Sequence, residues 1–281
     1  MKSIIRIAAV FAAMTIGLFS ASGAGVPVAK SYDFTGFNKL EFSWVWAVEV
    51  VPGSSWSIDV EVTEEAMPYV DVNMIGSTLT LGVRNLPREL SNGRNWNPAA
   101  KARITMPELC DVKMSGATKL SVAGSLNVRG EFELDAAGAA VISKLDLTAD
   151  KLDLDCSGAT KATITAKVRD ASLDISGACK INADVTADSA EIEASGAASV
   201  KLAGKVNKLD VDCSGACDLN LLQTDVRSAM VELSGAAKCH VNALEKLAVE
   251  LSGASSCRYA DNAGLKVDII SVSRGASLKK L

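Results

Sequence analysis

Histidine occurs once in 281 residues, and aromatic residues make up only 5% of the chain, as 4 Trp, 3 Tyr and 6 Phe. The lone His240 supports no Ser/His/Asp set and offers one weak ligand for zinc, and no glycine-rich phosphate cradle opens a helix. Basic residues do not outnumber acidic ones. With 29 Lys and Arg against 33 Asp and Glu, the formal net charge is −4, so no basic excess exists to displace the counterions of a nucleic acid. Proline is scarce and segregated: Pro27, Pro52, Pro68, Pro87, Pro98 and Pro107 are all six of them. The remainder of the chain is free for paired strands, where proline would remove a ladder hydrogen bond. What the composition does supply is 48% hydrophobic residues, too apolar for a disordered chain.

Lys2 and Arg6 precede an apolar run from Ile7 to Phe19, and the small residues Ser20 to Gly25 follow. This pattern predicts a secretory signal peptide over residues 1–25, and so an exported protein of the periplasm, cell surface or exterior. The run is about 13 residues, short of the roughly 20 that span a bilayer, and no other stretch comes closer, so no membrane span is expected. No cysteine follows the run to accept a lipid. Loss of the leader would leave 27 basic against 33 acidic residues, a charge of −6.

Beyond residue 100 one phrase, Ser-Gly-Ala, recurs around Gly116, Gly138, Gly158, Gly177, Gly196, Gly215, Gly235 and Gly253, with a degenerate copy at Gly275. Spacings run from 18 to 22 residues. A unit of this size cannot bury its own apolar face and must stack on its neighbours, which is the logic of a solenoid. Two, four and six places before the glycines the residues are nearly always apolar, as in Leu152, Leu154 and Cys156 or Leu209, Val211 and Cys213, with charged or polar residues between them in most copies. Alternation of period two resumes after the glycine, so each unit contributes at least two half-buried strands. No helical periodicity intervenes. The predicted fold is all-β, a parallel β-helix with about 20 residues per coil and equivalent residues stacked about 4.8 Å apart. Glycine then serves a corner, and whether strand parity survives it is not decided by spacing.

Residues 26–100 read differently. Leu40, Phe42, Trp44, Trp46, Val48 and Val50 alternate as a strand, which would place Trp44 and Trp46 together on one packed face; Trp56 to Val62 alternate likewise. This region is expected to be an irregular N-terminal β cap or irregular first coils covering the end of a repeat region over 101–281 and continuous with it. Arg84 to Lys101 is its longest candidate loop.

The early Phe37–Leu40 strand, the Gly76–Leu81 strand, the lead-in Ala102–Leu109 and the serial Ser-Gly-Ala coils together resemble the head GIN domain family of auto-transporter adhesins. The resemblance covers nearly all the chain after the leader. It implies a right-handed parallel β-helix, an exported surface or periplasmic location, and no enzymatic residues or cofactors to carry over.

Candidate sites are departures from the repeat, or files of chemistry created by it. Seven cysteines cannot all pair internally. Cys156 and Cys213 share a file but lie three coils apart, about 14 Å, beyond disulfide reach. Cys239 and Cys257 share a file in adjacent coils, at a separation a disulfide tolerates; the other reading is buried thiols acting as small core residues. Three places before glycine stands an acidic file of Asp135, Asp155, Asp174, Glu193, Asp212, Glu232 and Glu250. Stacked like charges are destabilising. Solvent screening, lysines such as Lys119, Lys161, Lys180 and Lys238, or a calcium ladder on Asp135, Asp155, Asp174 and Asp212 are the alternatives for offsetting them. Trp96, among Asn, Gly and Arg in the long loop, is the candidate aromatic platform for a glycan. The expected function is a non-catalytic scaffold or adhesin binding polysaccharide or a cell-surface ligand, with self-association through the last coil. A polysaccharide lyase or hydrolase on the same fold is the alternative.

Overall fold

A computed structural model describes residues 26–91 and 97–281. The signal-peptide expectation lies outside the described residues. The chain winds into a β-solenoid of about eight turns with about 20 residues per turn. A 3-10 turn at Met67–Tyr69 and one helical turn at Arg88–Ser91 interrupt the strands.

Each repeat unit runs along one face, turns at the Ser-Gly-Ala corner, and runs back along a second face before a polar corner leads to the next unit. Lys151–Cys156, for instance, pairs in parallel with Asp170–Ile175, and Lys161–Lys167 with the start of Lys180–Ala194. In later units the strand continues through the polar corner, as Ser199–Cys213 and Asp218–Leu233. Register is kept by burial: Leu152, Leu154 and Cys156 face the core before Gly158, and Thr160, Ala162, Ile164 and Ala166 face it afterwards. Inward parity therefore passes through the glycine unbroken. It flips instead at the polar corner, where Arg169 and Asp170 separate the half-buried Val168, which still packs on the core, from the next inward residue, Ala171. Each Leu, Ile or Val fully buried in these files contributes about 1.5–3 kcal/mol relative to exposure, and each Ala less.

The corner explains the glycine. In the eight copies from Gly116 to Gly253 its φ lies between +68° and +89°, the left-handed region that side chains resist. From Gly138 to Gly253, an added Cβ would also meet the carbonyl oxygen of the previous coil's glycine at 2.6–2.8 Å. The amide of the following Ala donates to that same oxygen at 2.7–2.8 Å, so the corners are laced into a continuous column. The methyls of those Ala residues are exposed. The crowded file lies one residue further on, where Thr118, Ala140, Thr160, Cys179, Ala198, Cys217, Ala237 and Ser255 are all buried and small.

Trp44 occupies the glycine place of the first coil. Its φ is +72°, and its carbonyl accepts the Ala117 amide at 2.8 Å as Gly116 accepts Ala139. Trp46 correspondingly heads the file of small residues and is fully buried, 6.2 Å from Trp44 in an edge-on arrangement. This corrects the expectation of one strand face carrying both tryptophans: strand ends at Phe42 and resumes at Ala47, because the corner falls between them.

The order of coils at this end departs from chain order. Lys39–Phe42 is sandwiched between Thr78–Val83 and Asp111–Met114, both parallel to it. Ala47–Pro52 likewise lies between Lys101–Met106 and Lys119–Asn127. Antiparallel strands finish the end: Val70–Ile75 against Thr78–Val83 on one face, and Ser57–Thr63 followed by Pro27–Tyr32 on the other.

Candidate functional site

The face that precedes the glycines carries the acidic files. Parallel register places Asp135, Asp155, Asp174, Glu193, Asp212, Glu232 and Glu250 in direct succession, one per coil. Two residues earlier a second file runs Glu133, Asp153, Ser172, Glu191 and Asp210. Between the two files is an open shelf of about 350 Å³ lined almost wholly by these carboxylates. Nearer the cap the same face alternates in sign, with Lys39 bonded to Asp111 at 3.0 Å and Lys113 to Asp135 at 3.0 Å.

Counter-charges for the shelf come from its own face. Lys151 bridges Glu131 at 2.5 Å and Asp153 at 3.2 Å, and Lys208 reaches Asp210 at 3.1 Å. Among the described residues, Lys119, Lys161, Lys180 and Lys238 make no ion pair to these files; they project from the opposite face. Asp155 registers the crowding: burial, then Asp174, Asp135 and Asp153, push its carboxyl above the usual carboxylate range. Among the described residues no group of three or more His, Cys, Asp or Glu converges as a metal cage. The file of Asp135, Asp155, Asp174 and Asp212 is a row of carboxylates along a surface, with Glu193 inserted in it.

Trp96 lies outside the described residues. Among the described residues that follow, the Pro98 carbonyl accepts the Thr63 amide at 3.0 Å and the Ala100 carbonyl accepts the Ala47 amide at 2.9 Å. A different aromatic group, unmarked by sequence spacing, sits on the cap: Tyr32 and Phe34 stack at 6.2 Å, Lys30 lies 4.5 Å over the Tyr32 ring, and Trp56 donates its indole N–H to the Phe37 carbonyl. Register puts His240 between Asn220 and Arg258 on the lysine-bearing face.

All seven cysteines are thiols, and six are buried. Cys239 and Cys257 stand directly opposite each other on adjacent strands. Cys213 and Cys217 flank the inside of the Gly215 corner, where the Cys217 thiol donates to the Ser214 carbonyl at 3.1 Å, and burial first of all, then Cys217, raises the Cys213 thiol well above its ordinary value. Burial pushes Cys156 up to about 12. In the last coil Ile269, Ile270, Val272 and Leu281 are exposed. No helix among the described residues is long and apolar enough to cross a membrane.

Among solved structures, the chain is similar to a "putative adhesin" from Parabacteroides merdae, at 17% identity and a TM-score of 0.66. It is similar also to a "putative adhesin" from Parabacteroides distasonis, at 16% and 0.66, and to a "putative lipid binding protein" from the same species, at 15% and 0.64. Each alignment covers 92% of this chain and 98% of the other. At these identities the likeness is one of fold. No curated protein matches the chain. The family described as "Putative auto-transporter adhesin, head GIN domain" matches residues 36–184 and 161–263, and with its glycine corners, lead-in strands and wound sheet the chain belongs to that family.

Proposed function

We propose that the protein is an exported, non-catalytic adhesion scaffold that binds a polysaccharide or another cell-surface ligand. The observation that carries this reading is the repetitive outer surface. Seven carboxylates follow one another at the coil spacing along a single face of the described residues. A regular face suits a regular polymer, where many weak contacts add through effective concentration. Its charge disfavours anionic polymers on that side and directs them to the lysine-bearing face or the cap. Trp96 is the proposed aromatic platform within the long loop. Membership of an adhesin family and likeness to structures carrying the same name support the reading.

A glycan and intact-cell binding screen with the purified protein tests it. Binding to at least one surface glycan, abolished by Trp96→Ala, is expected; no binding to any glycan or cell overturns the function, and unchanged binding by the variant dismisses the loop. Loss of polymer viscosity on incubation would make the protein a polysaccharide-active enzyme instead. Self-association through the last coil, suggested by exposed Ile269 and Leu281, is part of the same proposal. Light scattering behind size exclusion reads it, a strict monomer at high concentration counting against it.

A further inference from the structure

We propose that Cys239 and Cys257 form a disulfide rung between the coils of Gly235 and Gly253 when the chain folds in an oxidising milieu. Register carries the argument. Lys238, Cys239, His240 and Val241 pair residue for residue with Ser256, Cys257, Arg258 and Tyr259, so the two cysteines are direct cross-strand neighbours. Strands at hydrogen-bonding distance lie about 4.8 Å apart, within the Cα separations that disulfides adopt. Both side chains are fully buried and point into the core, so their Cβ vectors do not diverge to opposite faces. Among the described residues this is the one in-register cysteine pair. Cys156 stacks between Ala136 and Ile175, and Cys213 between Ala194 and Leu233.

The neighbouring Cys257 thiol and then burial push the Cys239 thiol well above its ordinary value. A thiol held protonated and out of solvent is a poor nucleophile, so exchange belongs to the period before the coils close. The Cys239 thiolate attacks a small-molecule disulfide such as oxidised glutathione, giving a mixed disulfide and releasing one glutathione thiolate. Cys257 thiolate then attacks the Cys239 sulfur and releases the second. Two glutathione thiolates leave for one protein disulfide, the reagent being reduced by the two electrons that the cysteines lose. Once formed, the rung lies in the dry core and ties two late coils, where solenoid ends otherwise fray.

Export supplies the oxidising compartment in the cell, and in that respect the proposal rests on the functional reading; the test does not. The full chain is refolded from urea with oxidised and reduced glutathione, or with dithiothreitol alone, then unfolded, alkylated and mapped by mass spectrometry without reduction. A peptide joining Cys239 to Cys257 is expected from the glutathione sample only. Both cysteines alkylated there, or Cys239 joined to Cys213, overturns the proposal. The oxidised chain should also unfold at higher urea than the reduced one, a difference that disappears in Cys257→Ser. If the variant keeps the difference, the rung is not its source. Export is read separately, by fractionating cells that make the protein, so either reading can fail alone.

Discussion

Replacing one glycine of the column by alanine, and comparing it with a glycine of equal φ that lies outside the column, isolates what stacking demands. Gly177 and Gly130 have φ of +84° and +85°, so alanine at either meets the same left-handed penalty, about 1–2 kcal/mol. Nothing lies within 4 Å of a Cβ at Gly130, whereas at Gly177 the Gly158 oxygen would be 2.6 Å away. Ordinary contact begins at 3.4 Å, leaving a shortfall of about 0.8 Å that only separation of the two corners relieves. That movement stretches the Ala178 to Gly158 bond from 2.7 Å beyond useful length, forfeiting about 1 kcal/mol, within an overpacking cost of about 1–3 kcal/mol. Gly130→Ala should therefore cost about 1–2 kcal/mol and Gly177→Ala about 3–4 kcal/mol, measured as loss of unfolding free energy in urea. Equal losses within about 0.5 kcal/mol would refute the argument, leaving backbone conformation alone as the reason for glycine.

The file of small buried residues allows a test with opposite signs. Thr160 has its hydroxyl 2.9 Å from the Ser157 carbonyl and 3.2 Å from the Ala136 carbonyl, whereas the buried Thr118 hydroxyl has no partner. Thr160→Val should lose about 1 kcal/mol and Thr118→Val should gain a similar amount in the same urea assay, and a shared sign would contradict the accounting. On the acidic shelf, Asp155→Asn should stabilise by a few tenths of a kcal/mol at pH 7 and low salt. Because the folded-state pKa of Asp155 is raised, ionisation opposes folding at neutral pH, and the gain should fade as pH falls through that raised value and be gone below the ordinary carboxylate range. A gain of the same size at acid pH, or in about 1 M salt, would rule out like-charge repulsion as its source.

The repeat was legible because its constraint is local: a left-handed corner that must also be thin leaves glycine as the residue at each of its copies from Gly116 to Gly253. The acidic file and the Cys239–Cys257 adjacency followed by arithmetic, since in a parallel stack equal distance from the corner means contact. Trp44 escaped that arithmetic. A corner held by tryptophan carries no phrase, and its flanking apolar residues keep strand parity, so Phe42 to Val48 reads as one strand. Nor does spacing reveal that Lys39–Phe42 pairs with Asp111–Met114, because the 68 residues between Phe42 and Asp111 make the neighbouring strands and return. The stacked Tyr32 and Phe34 depend on an edge strand whose register is set by its partner, and two alternating polar-aromatic residues have no distinguishing pattern of their own.

That sandwiched first coil has a consequence for how the molecule assembles. Residues 39–42 and 47–52 acquire neighbours on either side only after residues 78–81 and 101–106 have folded over one flank and residues 111–114 and 119–122 over the other. Winding therefore cannot proceed in the order in which the polypeptide emerges, since its leading segment waits for two later ones. The serial coils beyond residue 130 need only the turn before them, close short loops and supply the natural seed, so the end of the molecule made first is the end finished last.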